Sequence, residues 1–190
     1  ILHLTWEYPP VMFGGLGRHV HSLAAAQAAS GHDVMVITQA PNSAAPARVP
    51  RGASGPVHVI RASVDSATHD PTDLLAHVAE MECEFTGEGN QLFTRWQPDV
   101  IHAHDWMTYP AAIAVAAITG KPLVVHIHST EFDRSGENVN QMIYDIERAG
   151  MERADKVIAV SHFTRNIVLS RYGIPGDKVE VVYNGVERNG

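Results

Sequence analysis

Two histidine pairs and one glycine-rich turn are the residues of this chain best suited to chemistry. His102 and His104 form one His-x-His pair, and His126 and His128 form another. Side chains two apart on a strand point the same way, so each pair shares a face if its segment is extended. A neutral imidazole at a strand end can hydrogen-bond a sugar hydroxyl or ligate a metal ion. Gly14-Gly15-Leu16-Gly17, followed by Arg18, offers backbone donors that can approach a phosphate or a sugar closely at the start of a helix. The alternative for that turn is tight packing alone. Asp105 and Trp106 follow the first histidine pair directly. Asp105 can accept a sugar hydroxyl or cap the next helix, and Trp106 can be a sugar platform or pack beneath that helix.

Two better-known phosphate loops are excluded by the residues present. GxGxxG is absent, and the second strand candidate ends in Thr38-Gln39 where a dinucleotide fold would carry an acidic ribose ligand. No Gly-Lys-Ser/Thr follows the glycines either. The inner histidines His102 and His126 read as satisfied core residues, with His104 and His128 at the strand mouths. A zinc site of the hydrolase kind is the rival reading.

The elements that must position these residues are legible as alternation. Strands are expected at 1–5, 34–38, 57–61, 100–103, 123–127, 156–160 and 179–183. Helices are expected at 17–30, 71–96, 108–119, 138–153 and 163–172, the second of them open to a break at Gly87-Glu88-Gly89. The stretch 39–56, rich in Ala, Pro, Ser and Gly, reads as a surface excursion. Such alternation predicts a Rossmann-like α/β fold, a mostly parallel sheet with helices on both faces. In that fold ligands bind outside the carboxyl ends of the strands. The rule selects 6–17, 104–106, 128–136, 161–162 and 184–185.

Bulk properties narrow the partners. With 14 Lys plus Arg against 21 Asp plus Glu, the net charge of −7 opposes non-specific attraction to nucleic acid or an anionic membrane. No run reaches the ~18 apolar residues of a membrane-spanning helix. Cys83 is the single cysteine, which excludes an internal disulfide and fits a reducing compartment, so a cytoplasmic setting is expected. The chain begins inside its first strand and ends on a turn signal, which predicts a piece of a longer protein.

Six segments in order carry a resemblance: Trp6-Glu7-Tyr8-Pro9-Pro10, Gly14-Gly15-Leu16-Gly17-Arg18-His19, His104-Asp105-Trp106, His126-Ile127-His128-Ser129, Ser161-His162-Phe163-Thr164 and Val182-Tyr183-Asn184-Gly185-Val186. Together they resemble the N-terminal half of retaining, GT-B-fold glycosyltransferases, particularly bacterial glycogen or starch synthase-like enzymes. The resemblance implies a hexosyltransferase that uses a nucleotide sugar (ADP-glucose, UDP-glucose or a GDP-sugar) and a glucan or other glycoside acceptor. It implies residues 1–183 as an acceptor-side domain and 184–190 as the start of a crossover to a C-terminal donor-binding domain. It also implies His128 against the transferred sugar as the catalytic candidate. Gly14, Gly15, Leu16, Gly17 and Arg18 would then face the donor phosphates and sugar, and His104, Asp105 and Trp106 would line the acceptor side. The glycogen-synthase branch often carries Lys-x-Gly-Gly-Leu, whereas this chain has Met12-Phe13-Gly14-Gly15-Leu16. Positive charge for the phosphates is then expected from Arg18 or another domain. No Asp-x-Asp occurs, so transfer without a metal or other cofactor is expected. A non-catalytic carbohydrate-binding domain and a metal-dependent hydrolase are the alternative functions.

Overall fold

A computed structural model describes residues 1–41, 57–64 and 71–185. Most of the expected surface excursion at 39–56, and residues 186–190 of the expected crossover, lie outside them. Seven strands form one parallel sheet: β1 (Leu2–Thr5), β2 (Met35–Gln39), β3 (His58–Ala62), β4 (Ile101–His104), β5 (Leu123–Ile127), β6 (Lys156–Ala159) and β7 (Val179–Val181). Their order is β3-β2-β1-β4-β5-β6-β7. The direction of winding therefore reverses between β1 and β4, the place at which open parallel sheets bind ligands.

The helices are α1 (Gly15–Ala29), α2 (Pro71–Phe93), α3 (Tyr109–Thr119), α4 (Glu131–Ser135), α5 (Gln141–Arg153) and α6 (His162–Arg171), with a 3₁₀ turn at Trp106–Thr108 before α3. The larger core joins one sheet face, through Leu2, Leu4, Ile101, Ala103, Val125 and Ile127, to α2, α3, α5 and α6. A smaller core under α1 is built on Leu16, Val20, Ala24, Val34 and Val36. Helices thus lie on both faces, unequally.

Local chemistry explains the boundaries. α1 begins at Gly15, two residues before the expected start, with Gly14 extended as its N-cap. Asn140 caps α5 by accepting from the Met142 and Ile143 amides, which moves its start from 138 to Gln141. Ser161 caps α6 through the Thr164 amide. The expected break at Gly87-Glu88-Gly89 does not occur, and α2 runs through it. A glycine inside a helix costs only about 1 kcal/mol against alanine. At Gly89 a Cβ would meet Val115 and Phe93 at 3.3 Å, so the missing side chain lets α2 lie close against α3. α4 is an element the periodicity does not announce, because five residues hold too little pattern. Its signal is a capping box, with Thr130 and Asp133 each bonded to the other's backbone amide.

Candidate functional site

Register builds the site. Thr5, His104 and His126 lie abreast on β1, β4 and β5, and His3 lies abreast of His102 on the same face. The pleat turns all of these toward α1. From α1, one turn beyond Gly15, His19 comes down onto the group. The result is a stack of six imidazoles, His3, His19, His102, His104, His126 and His128. Ring centroids are 4.2 Å apart for His102 and His104, 4.4 Å for His126 and His128, and 5.0 Å from His19 to both His126 and His128.

Three of these rings form a wire with a defined end. Gln27 Oε1 lies 2.6 Å from His3 Nε2, His3 Nδ1 lies 2.9 Å from His104 Nε2, and His104 Nδ1 lies 3.3 Å from His128 Nε2. An amide oxygen only accepts, so His3 carries its proton on Nε2 and accepts on Nδ1. His104 then donates from Nε2, which leaves a lone pair on its Nδ1 facing His128.

Burial keeps the stack uncharged. Loss of solvent pulls His3 down to about 4 and His128 to about 3, with the neighbouring His19 adding to the second shift. The same cause holds His102, His104 and His126 far below the ordinary histidine value and lowers His19. His104 is 0% exposed and both its nitrogens face other histidines, so it lies beneath the mouth where a sugar hydroxyl was expected to meet it. His102 and His126 are buried as expected but not satisfied. His102 Nε2 and both nitrogens of His126 have no hydrogen-bond partner among the described residues.

Asp105 stands where β4 ends, at φ 63 and ψ 160. A non-glycine residue there stores about 1–3 kcal/mol of strain. Its carboxylate makes no cap bond to the following turn. It accepts instead from the His128 amide at 3.3 Å, tying the ends of β4 and β5 together. Burial pushes that carboxyl up to about 7, against the pull of Arg134. Trp106 is 7% exposed and packs in the larger core, with the Arg134 guanidinium 5.9 Å from its ring centre. Of its two candidate roles, packing is the one its surroundings provide.

A separate polar group anchors the segment after His128. Arg134 bonds Ser129 Oγ at 2.9 Å, Glu131 at 3.3 Å and Glu147 at 2.5 Å. Glu147 also accepts from the Glu131 amide at 3.0 Å and from the Tyr172 hydroxyl. The loop leaving β5 is therefore fixed from below.

The glycine turn differs from the expectation in one respect. The Glu7 carboxylate accepts from the amides of Phe13 (3.1 Å), Gly14 (3.0 Å) and Gly17 (3.3 Å), so an internal anion already fills part of the nest at the start of α1. Gly14, Gly15 and Arg18 are exposed, whereas Leu16 and Gly17 are buried. A Cβ at Gly15 would meet nothing, while one at Gly17 would come within 3.0 Å of Met12 and 3.2 Å of Glu7. Gly17 is thus required for packing, and Gly15 is the glycine that leaves open space for a ligand.

Sequence reasoning missed His3 and Gln27, and Glu7 and His19 entered only as parts of motifs. His3 carried a usable signal, since it alternates with Thr5 as His102 does with His104. Gln27 and His19, eight residues apart on a helix, carried none until the helix was placed over the sheet.

Comparison with known proteins gives this geometry a family. A glycogen synthase of Mycobacterium tuberculosis is 34% identical over 201 aligned positions that cover 98% of this chain and 48% of that protein. Among solved structures, sucrose-phosphate synthase of Thermosynechococcus elongatus superposes with a TM-score of 0.74 at 17% identity, covering 98% of this chain and 48% of that one. The catalytic domain of starch synthase IV from Arabidopsis thaliana, bound to ADP and acarbose, gives 0.67 at 15% identity, over 97% of this chain and 51% of that one. The chain spans about half the length of the relatives it matches, and its fold is the Rossmann-like half of a GT-B architecture. The model of Glycosyltransferase Family 4 matches residues 13–189, and the chain belongs to that family.

Proposed function

We propose that this domain is the acceptor side of a retaining glycosyltransferase that moves glucose from a nucleotide sugar to an α-glucan or related glycoside. The observation that carries the reading is the seat of His19. It stands one turn after Gly15 and 5.0 Å from the ring of His128, so the glycine turn and the end of β5 are neighbours at the switch point of the sheet, where parallel α/β folds bind ligands. His128 is neutral there, with its amide held by Asp105 and one ring nitrogen held by His104. It is oriented to hydrogen-bond a sugar hydroxyl without adding charge.

In this reading Gly15 lets the donor approach the start of α1, where the helix dipole and the exposed Arg18 offset charge growing on the leaving diphosphate. The sugar passes through an oxocarbenium-like state, and the acceptor attacks from the face the nucleotide leaves. A second domain of the same protein supplies the rest of the donor site, so residues 1–190 alone are nearly inactive. The ADP bound to the starch synthase neighbour supports a nucleotide-linked donor.

The test is a screen of the full-length protein with ADP-glucose, UDP-glucose and GDP-mannose against α-glucans of several lengths, with product anomers read by NMR. Transfer with retention, undiminished by EDTA, is expected. Glucan binding without transfer from any donor would leave a non-catalytic carbohydrate-binding domain in its place.

A further inference from the structure

The geometry points to a binding site for one divalent first-row transition ion, with zinc as the reference case, ligated by His19, His104, His126 and His128. Each of the four offers one ring nitrogen, and these atoms all lie within 4.8 Å of one another. His104 Nδ1 and His128 Nε2 are 3.3 Å apart. That is long for a hydrogen bond between rings, and it matches the edge of roughly 3.3 Å in a tetrahedron with Zn–N distances of about 2.0–2.1 Å.

His126 supplies an independent reason. It is 2% exposed, its ring is wedged between His19, His102 and His128, and neither nitrogen has a partner among the described residues. Nε2 of His19 is in the same condition. A buried polar atom left unpaired is destabilising, and an ion that takes up their lone pairs relieves both residues together.

The surroundings are those of a ligand shell. His104 Nε2 donates to His3 Nδ1, and His3 Nε2 donates to Gln27 Oε1, so a two-step chain fixes the tautomer that turns a lone pair toward the site. His3, His102 and His104 form a second close triplet. There His3 and His104 have already engaged the facing nitrogens with each other, which leaves the outer four as the site. All four donors are imidazoles, a set that favours zinc, copper, nickel and cobalt over magnesium or calcium. His19 and His128 are the two partly buried members of the four and give the ion its entry.

The site stands on this geometry alone. Its consequence for transfer rests on the role proposed for His128: an ion that takes Nε2 moves the ring proton to Nδ1, the nitrogen left for a sugar hydroxyl, and turns it from acceptor to donor, so occupancy inhibits.

The experiment titrates metal-stripped full-length protein with Co²⁺ and reads ligand-field absorption. A tetrahedral signature saturating at one ion per chain, displaced by Zn²⁺ and untouched by Mg²⁺, is expected. His126→Asn and His19→Gln should each weaken Co²⁺ binding by about 100-fold or more, and Gln27→Leu by about 10–100-fold, as loss of an orienting partner does. His21→Asn, on the same helix and outside the group, should change nothing. Folding of each variant is checked by circular dichroism, and His19→Gln, at a less buried position, carries the test if His126→Asn does not fold. Absence of the signature, or unaltered binding in folded His19→Gln, would overturn the proposal. Zinc binding that leaves transfer untouched would uphold the site and remove His128 from the reaction.

Discussion

Two polar groups flank the segment that leads through β5 into His128, and they are built on opposite terms. Beneath the loop that leaves β5, Arg134, Glu131, Glu147 and Tyr172 are bonded to one another and to the Ser129 hydroxyl, and opposite charges meet. Above the sheet, six imidazoles crowd together with nothing of opposite charge within the group, and three of them keep nitrogens without partners. The first arrangement pairs its donors with acceptors, although burial still raises the Glu147 carboxyl above its ordinary value. The second remains uncharged and unsatisfied, with the partly buried His19 and His128 at its edge. Saturated polarity holds structure, whereas unsaturated polarity on a rigid sheet is poised for something from outside.

The contrast is easiest to break at Glu147. Glu147→Ala should lower unfolding stability by about 1–3 kcal/mol, because the Glu131 amide and the Tyr172 hydroxyl lose their buried acceptor. Urea midpoints measure it, and activity should fall only as the folded fraction falls. In the other group, His128→Ala should reverse that pattern in the full-length protein. Turnover is expected to drop about 10²-fold, the size of losing one preorganised contact to the transition state, with a change in folding stability below about 1 kcal/mol. Equal losses of fold and turnover would place His128 with the structural residues.

Acid should separate the two groups by degree. A histidine whose folded value lies below its unfolded 6.5 gives its full stability above about 6.5 and loses it as pH falls toward the folded value, here about 4 for His3 and about 3 for His128. Asp105, raised to about 7, works in the opposite sense between about 4 and 7, but it is one carboxyl against several rings. The melting temperature should therefore fall steadily from pH 7 to pH 5. A flat profile would mean that the stack is not held neutral. The smallest effect is expected at the glycine turn. Gly15→Val should move the unfolding midpoint by less than about 0.5 kcal/mol, since its Cβ meets nothing, while raising KM for the donor. Gly17→Ala should instead destabilise, because Met12 and Glu7 must give way.

Much of this architecture was legible in advance because alternation of short apolar runs with longer helical patterns admits few folds. Strands β5 and β6 fall within a residue of their expected bounds, since β-branched runs between Pro or Asp signals leave little freedom. The errors have local causes. α4 is too short to show a period, and Gly89 reads as a breaker until α3 is known to lie against it. The site was legible only in part. His102 with His104, and His126 with His128, could be paired from spacing, but spacing cannot tell a buried ring from one at a mouth, and His104 is buried.

The order of residues along the chain determined that a parallel sheet forms, that glycines open its first helix and that pairs of histidines alternate on two of its strands, because those are consequences of periods of two and of 3.6. Tertiary structure alone decided that β1 lies between β2 and β4 and that α1 lays His19 over β5. It also decided that Glu7 turns back into the turn it precedes. The first two are contacts between residues far apart in the chain, set by which apolar faces can be buried together, and the third needs the loop between β1 and α1 to close on itself.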